Sequence, residues 1–382
     1  MSATEQILTH ARLILDDEVV DGSLVIREGR IADVDTAPSR VAGALDCQGD
    51  YLLPGLVELH TDNMEKYFQP RPKVAWPGRQ AALAHDAQMA ASGITTVFDA
   101  VSIGDVDEQS MRHGALHDMV DALSGIVGSG LSRVDHRLHL RCEVSHPETL
   151  TRFDVLADTP LLGLVSLMDH APGQRQFASL AAYRTYYQGK YGLDDRTLED
   201  FIATQLANSE RYSGEHRRAI AGRCRDRGLA LASHDDATVA HVAESLEYGT
   251  RVAEFPTTRE AAEASHRHDM AVMMGAPNVV RGGSHSGNIA ASELVGMGVL
   301  DILSSDYYPA ALLDAVFRIA AMAEGYSLPR AVATATRRPA AAVGLDDRGR
   351  LAKGLRADLL RVRVVDDHPL VQRVWCAGRQ VH

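Results

Sequence analysis

Between Gly55 and Gly344, eight short apolar runs alternate with longer, Ala-rich segments of helical pattern, and no other feature constrains the fold as tightly. A run of about five to seven apolar residues followed by a helix is the unit of a parallel sheet buried on both faces. The runs are 55–60, 95–100, 138–144, 162–168, 229–234, 251–255, 270–275 and 299–304. Eight such units in about 290 residues match a (β/α)₈ barrel, whose chemistry sits where the strands end. A doubly wound open sheet is the competing α/β architecture, but no G-x-G-x-x-G turn follows an early strand.

Both ends of the chain read differently. Residues 7–15, 22–26 and 29–34, and at the other end 349–351, 357–362 and 371–376, are short β segments broken by polar or glycine turns. The expected organisation is a small β-sandwich domain built from 1–53 plus 346–382, around a barrel domain of 54–345.

Composition narrows the function. The chain has 39 Lys and Arg against 51 Asp and Glu, a net charge of −12, which is not the profile of a nucleic-acid binder. An anionic ligand therefore needs local positive charge or metal, because the overall field repels it. No apolar run approaches the ~18 residues of a membrane span, and residues 1–16 lack a basic segment followed by an apolar one. The four cysteines, at 47, 142, 224 and 376, form no CxxC pair and read as reduced thiols, so a cytoplasmic location is expected.

The strand ends carry ligand-type side chains one after another. The first run ends His60-Thr61-Asp62, the third carries Glu143, the fourth ends Asp169-His170, the fifth His234-Asp235-Asp236 and the eighth Ser305-Asp306. Residues i and i+2 of an extended segment share a side, so His60 and Asp62 can grip one cation. Imidazole with carboxylate suits Zn²⁺ or a similar first-row ion, so one or two divalent ions are expected. Taken singly, a strand-end His is more often a hydrogen-bonded structural residue, an Asp there is more often a helix cap, and Glu143 can be the buried partner of Arg141. Their common position at one rim favours a metal site.

Several strings extend this reading. Pro54-Gly55 with His60-Thr61-Asp62, and Gly354-Leu355-Arg356-Ala357-Asp358-Leu359, resemble the opening and closing motifs of the amidohydrolase superfamily. More narrowly, His60-Thr61-Asp62-Asn63-Met64-Glu65-Lys66, Met168-Asp169-His170-Ala171-Pro172-Gly173, Arg281-Gly282-Gly283-Ser284-His285-Ser286-Gly287-Asn288 and Ser304-Ser305-Asp306-Tyr307-Tyr308-Pro309 resemble the PhnM family. That resemblance implies a metal-dependent barrel hydrolase that splits α-D-ribose 1-methylphosphonate 5-triphosphate into the 5-phosphate and pyrophosphate. It implies a small-molecule partner and, by analogy with relatives, a homodimer. His60, Asp62, Glu143, His170, His234 and Asp306 are the expected ligands. Asp62 stands where the superfamily usually has a second His, and the sixth strand ends Glu254-Phe255-Pro256 with no His, which favours one metal over two.

Cleaving a triphosphate requires cations and N–H groups around the phosphates. Arg71, Lys73 and Arg79 after the first strand, and Arg175, Lys190 and Arg281 elsewhere, are the expected phosphate contacts; each reads equally as solvated surface charge. Gly282 to Gly287, with Ser284 and His285, has the composition of an anion-binding nest or of a plain surface turn. Tyr307, Tyr308 and Trp76 are candidates for the sugar. Asp306 is the expected general base. A C–N hydrolase, such as a sugar-phosphate deacetylase or cyclic amidase, is the competing enzyme, and a scaffold that has lost its ligands is the competing non-enzyme.

Overall fold

The computed structural model describes residues 5–104, 111–177, 179–192, 194–284, 287–322 and 326–382. Two eight-stranded sheets organise it. The first holds β1 (Gln6–Ile14), β2 (Val19–Arg27), β3 (Arg30–Asp35), β4 (Leu45–Asp46) and β5 (Tyr51–Pro54). The second holds β6 (Leu56–Thr61), β7 (Ile94–Ile103), β8 (Asp135–Glu143), β9 (Leu162–Met168), β10 (Ala230–His234), β11 (Val252–Glu254), β12 (Ala271–Gly275) and β13 (Ile302–Ser304). The chain then returns to the first sheet with β14 (Leu359–Val365), β15 (His368–Cys376) and β16 (Arg379–Gln380).

The second sheet is parallel, ordered β6 to β13 in sequence. A parallel bridge between Thr61 and Asp306 brings its two edges together. The backbone N–H of Asp62 donates to the Asp306 carbonyl and that of Asp306 to the His60 carbonyl, both at 3.1 Å. Fully buried Glu58 reinforces the seam, accepting from Ser304 Oγ at 2.9 Å and the Ser305 N–H at 2.5 Å, and burial pushes its carboxyl up to about 7. Val57, Leu59, Phe98, Leu164, Ala232, Val252, Met273 and Ile302 form one cluster contributed by seven different strands, a filled barrel core rather than a pore. Every residue of β6 and β7 is buried, polar ones included, so neither strand has a solvated face.

In the terminal sheet the path is β16-β15-β14-β5-β1-β2-β3, so strands from the two ends of the sequence lie side by side. Leu8, Leu13, Leu24, Ile26, Leu52, Leu359 and Trp375 form its own core. Most pairs are antiparallel, as the turns suggest, but β1 runs parallel to β4 and β5 because the β2–β3 hairpin intervenes before the chain comes back. Residues 349–351 lie in a bend and the irregular segment after it rather than in the expected strand. Gly55 joins the sheets where Thr95 presses so close that a Cβ would lie 2.2 Å from its Oγ1. No helix among the described residues is long and apolar enough to cross a membrane.

Candidate metal centre and substrate cavity

Several strands end abruptly. Asp235, Phe255 and Asp306, just after β10, β11 and β13, have φ of 57°, 54° and 55°. The left-handed region is tolerable for Asp and costly for Phe, and such strain concentrates at functional sites. Thr238 and Thr258 then cap the helices Val239–Glu247 and Arg259–Arg267, accepting the N–H of the residue three further on. The loops after β10 and β11 are thereby short and held.

These ends open into a cavity of about 410 Å³ lined by His60, Asp62, Arg141, Glu143, His170, His234, Asp235 and Asp306, among others. Glu254, fully buried behind it, takes His60 Nδ1 on one oxygen and His234 Nδ1 on the other, each at 2.6 Å. With Nδ1 of each ring paired to the carboxylate, Nε2 is the nitrogen left for a metal. Burial alone would raise the Glu254 carboxyl, but the charges of His60 and His139 and the two ring hydrogen bonds hold it well below its ordinary range. Glu143 does the same for His170, accepting from Nδ1 at 2.7 Å while Ser145 Oγ donates to its other oxygen at 2.7 Å.

Two groups of donor atoms face the cavity. His60, Asp62 and Asp306 form one; His170, His234 and Asp235 form the other. His60 Nε2 lies 3.7 Å from Asp62 Oδ1, His234 Nε2 3.4 Å from Asp235 Oδ2, and His170 Nε2 3.8 Å from the same oxygen. Donors each about 2 Å from a tetrahedral ion sit a little over 3 Å apart, so these spacings fit a shared cation better than a hydrogen bond. Burial raises the Asp306 carboxyl above its ordinary value, and Asp62 adds to the effect.

The expected residues divide. His60, Asp62, His170, His234 and Asp306 converge on the cavity, and so does Glu143, although its carboxylate is committed to His170 rather than to a metal group. Arg281 and Ser284 also line the cavity, with Gly283 and Asn288. Arg175 is a correction. It is buried against Asp236 and Glu244 and absent from the wall, because two carboxylates, that of Asp236 fully buried, hold its guanidinium more strongly than the open cavity would. Arg71, Lys73 and Arg79 are exposed and also off this wall; Lys73 and Trp76 border a separate cavity with Asp118 and Asp121. His285 and the Lys190 side chain lie outside the described residues. Tyr307 lines the cavity, Tyr308 is exposed, and Phe177, Tyr186 and Tyr187 add an aromatic wall from the segment between β9 and β10.

Sequence reasoning missed Glu254, Asp235 as a member of the second group, and Arg141. No local pattern signalled Glu254, whose partners His60 and His234 come from two other strands.

The amidohydrolase family model matches residues 148–382. The chain is 54% identical over 376 residues to the alpha-D-ribose 1-methylphosphonate 5-triphosphate diphosphatase of Escherichia coli (strain K12), covering 98% of this chain and all of that one. Among solved structures, an N-acetyl-D-glucosamine-6-phosphate deacetylase from Mycobacterium smegmatis shares the fold at a TM-score of 0.66 and 17% identity, with 99% of each chain covered. A D-hydantoinase does so at 0.56 and 14%, over 99% of this chain and 95% of that one. With a barrel of eight parallel strands, a second sheet drawn from both termini, and these matches in sequence, the chain belongs to the amidohydrolase family.

Proposed function

We propose that this protein hydrolyses α-D-ribose 1-methylphosphonate 5-triphosphate to the 5-phosphate and pyrophosphate, as part of phosphonate breakdown. The observation that carries the reading is the full-length likeness to the Escherichia coli diphosphatase. The fold does not choose between phosphate and amide chemistry, since deacetylases and hydantoinases share it. The sequence match favours the anhydride.

Electrostatics supports a metal requirement. Asp62, Glu143, Asp235 and Asp306 line the cavity against Arg141 and Arg281 among the described residues, so a triphosphate needs divalent cations to enter. The donor set fits Zn²⁺: His60, Asp62 and Asp306 would hold one ion and His170, His234 and Asp235 a second, with Glu143 and Glu254 orienting the rings. A divalent ion there would neutralise phosphate charge and acidify water.

Asp306 takes the proton of the attacking water. The water oxygen bonds to phosphorus, and the P–O bond between the α and β phosphates breaks, its electron pair leaving with the bridging oxygen. Arg281, Ser284 and the Gly283 backbone meet the outer phosphates, while Tyr307 and the Phe177–Tyr186–Tyr187 wall meet the ribose. We assign 1–53 plus 346–382 to a small β domain and 54–345 to the catalytic barrel, and infer a cytoplasmic homodimer.

Phosphorus NMR of the metal-loaded protein with the ribosyl triphosphate tests the reaction, with an acetylated amino-sugar phosphate and a cyclic amide in parallel. The expected products are pyrophosphate and a 5-monophosphate. Orthophosphate release, or turnover of the amide controls alone, contradicts the reading.

A further inference from the structure

We propose that Arg141 is a further catalytic residue, whose guanidinium binds the phosphoryl group under attack and stabilises the charge developing there; the proposal rests on the diphosphatase reading. Arg141 lies two residues before Glu143 on β8, so both point to the cavity side of the strand. Its residue exposure is only 9%, yet it lines the cavity beside His60, Asp62 and Asp306.

Its hydrogen bonds leave capacity. Nη1 alone serves Asp62, at 2.8 Å to Oδ1 and 2.9 Å to Oδ2. The buried Nε has no hydrogen-bond partner among the described residues. A guanidinium held through one nitrogen keeps N–H groups for a further acceptor, and a phosphate oxygen is the acceptor whose geometry and charge suit it best. Among the described residues the other arginine lining the cavity is Arg281, which is exposed and too solvated to supply the same electrostatic stabilisation. Arg141 is thus the buried fixed cation beside the donor group containing Asp306, where the proton is taken and the P–O bond forms and breaks.

A purely structural role is the rival: Arg141 holds Asp62 in place and nothing more. The two roles separate experimentally. Arg141→Met and Arg141→Lys are compared with the wild-type protein for pyrophosphate release, metal content by elemental analysis, and pyrophosphate binding by calorimetry. Arg141→Met is expected to lose about 10²- to 10³-fold in kcat with metal content unchanged, the range seen when one preorganised donor is removed. Arg141→Lys recovers part of the loss, added guanidinium recovers part of the Met variant's activity, and pyrophosphate binds about tenfold more weakly to the Met variant. Restoration of the Met variant by excess metal, or a loss smaller than about threefold, overturns the proposal in favour of the Asp62-holding role. If the wild-type protein releases no pyrophosphate from the ribosyl triphosphate, the diphosphatase reading fails instead. Calorimetry then decides Arg141 alone: unchanged pyrophosphate affinity in the Met variant overturns an anion-binding role, and weakened affinity supports it.

Discussion

Two histidine–carboxylate clusters in this barrel use the same residue types to opposite ends. One faces the cavity. The other, His85, Asp86, Asp99 and His136, is wholly buried, with His85 on the helix Gly78–Ala91 and Asp99 and His136 on β7 and β8. In the sealed cluster His85 Nε2 meets Asp99 Oδ1 at 2.5 Å and His136 Nδ1 meets Asp99 Oδ2 at 2.7 Å. Asn63 Nδ2 reaches His85 Nδ1 at 3.0 Å, and Arg133 Nη1 reaches Asp86 Oδ2 at 2.9 Å. Each ring nitrogen there has a partner. At the cavity the Nδ1 contacts of His60, His170 and His234 are equally short, but their Nε2 atoms stand 3.4–3.8 Å from carboxylates. Residue type does not separate a structural network from a metal site; the nitrogen left for an ion does.

Substitutions can break that contrast. The largest expected effect is from His60→Asn or His234→Asn, each losing metal and more than about 10³-fold in pyrophosphate release while circular dichroism shows a retained fold. Metal retention with activity intact in either variant would remove the cavity cluster from the mechanism. Asp306→Asn is expected to keep fold and metal and lose about 10²- to 10⁴-fold in kcat, the usual span for a general base. A metal-loaded, active Asn variant contradicts the base assignment.

The sealed cluster should answer in stability. Burial opposes the charge on His136, but Asp99 and the hydrogen bonds that the ring donates to Asp86 and Asp99 outweigh it and raise its pKa to about 9. A folded-state pKa above the unfolded value of about 6.5 stabilises fully below that value and is lost as pH rises through 9. Urea denaturation should therefore show His136→Gln about 2–3 kcal/mol less stable than wild type at pH 7, with the gap narrowing by pH 9.5. A gap that does not change with pH would mean that His136 is not held as a cation.

Smaller effects follow on the phosphate side. Arg281→Ala should raise KM for the ribosyl triphosphate severalfold with little change in kcat, a partly solvated contact. Ala at Arg71, Lys73 or Arg79, which lie off the cavity wall, should change KM less than about twofold. A larger loss at any of the three would bring the loop after β6 into substrate binding.

The barrel was legible because strands buried on both faces cannot hide as alternating patterns, and all eight emerged within a few residues of their sequence bounds. His60, Asp62, His170, His234 and Asp306 were legible because each ends a strand at the same rim. Glu254 was not, because its role depends on β11 lying beside β10 and on reaching across the barrel to His60, a relation no local pattern records. Arg175 misled for the same reason: its partners, Asp236 and Glu244, are about 60 to 70 residues away in sequence. Arg141 was noticed only as a possible partner for Glu143, whereas His170 takes Glu143 and Asp62 takes Arg141.

Divalent metal bound per chain, measured by elemental analysis on wild type, His234→Asn and His136→Gln prepared identically, tests the central contrast most directly. Metal is expected in wild type and His136→Gln, and its loss in His234→Asn. Metal kept by His234→Asn but lost by His136→Gln would place the ion in the sealed cluster and contradict that contrast.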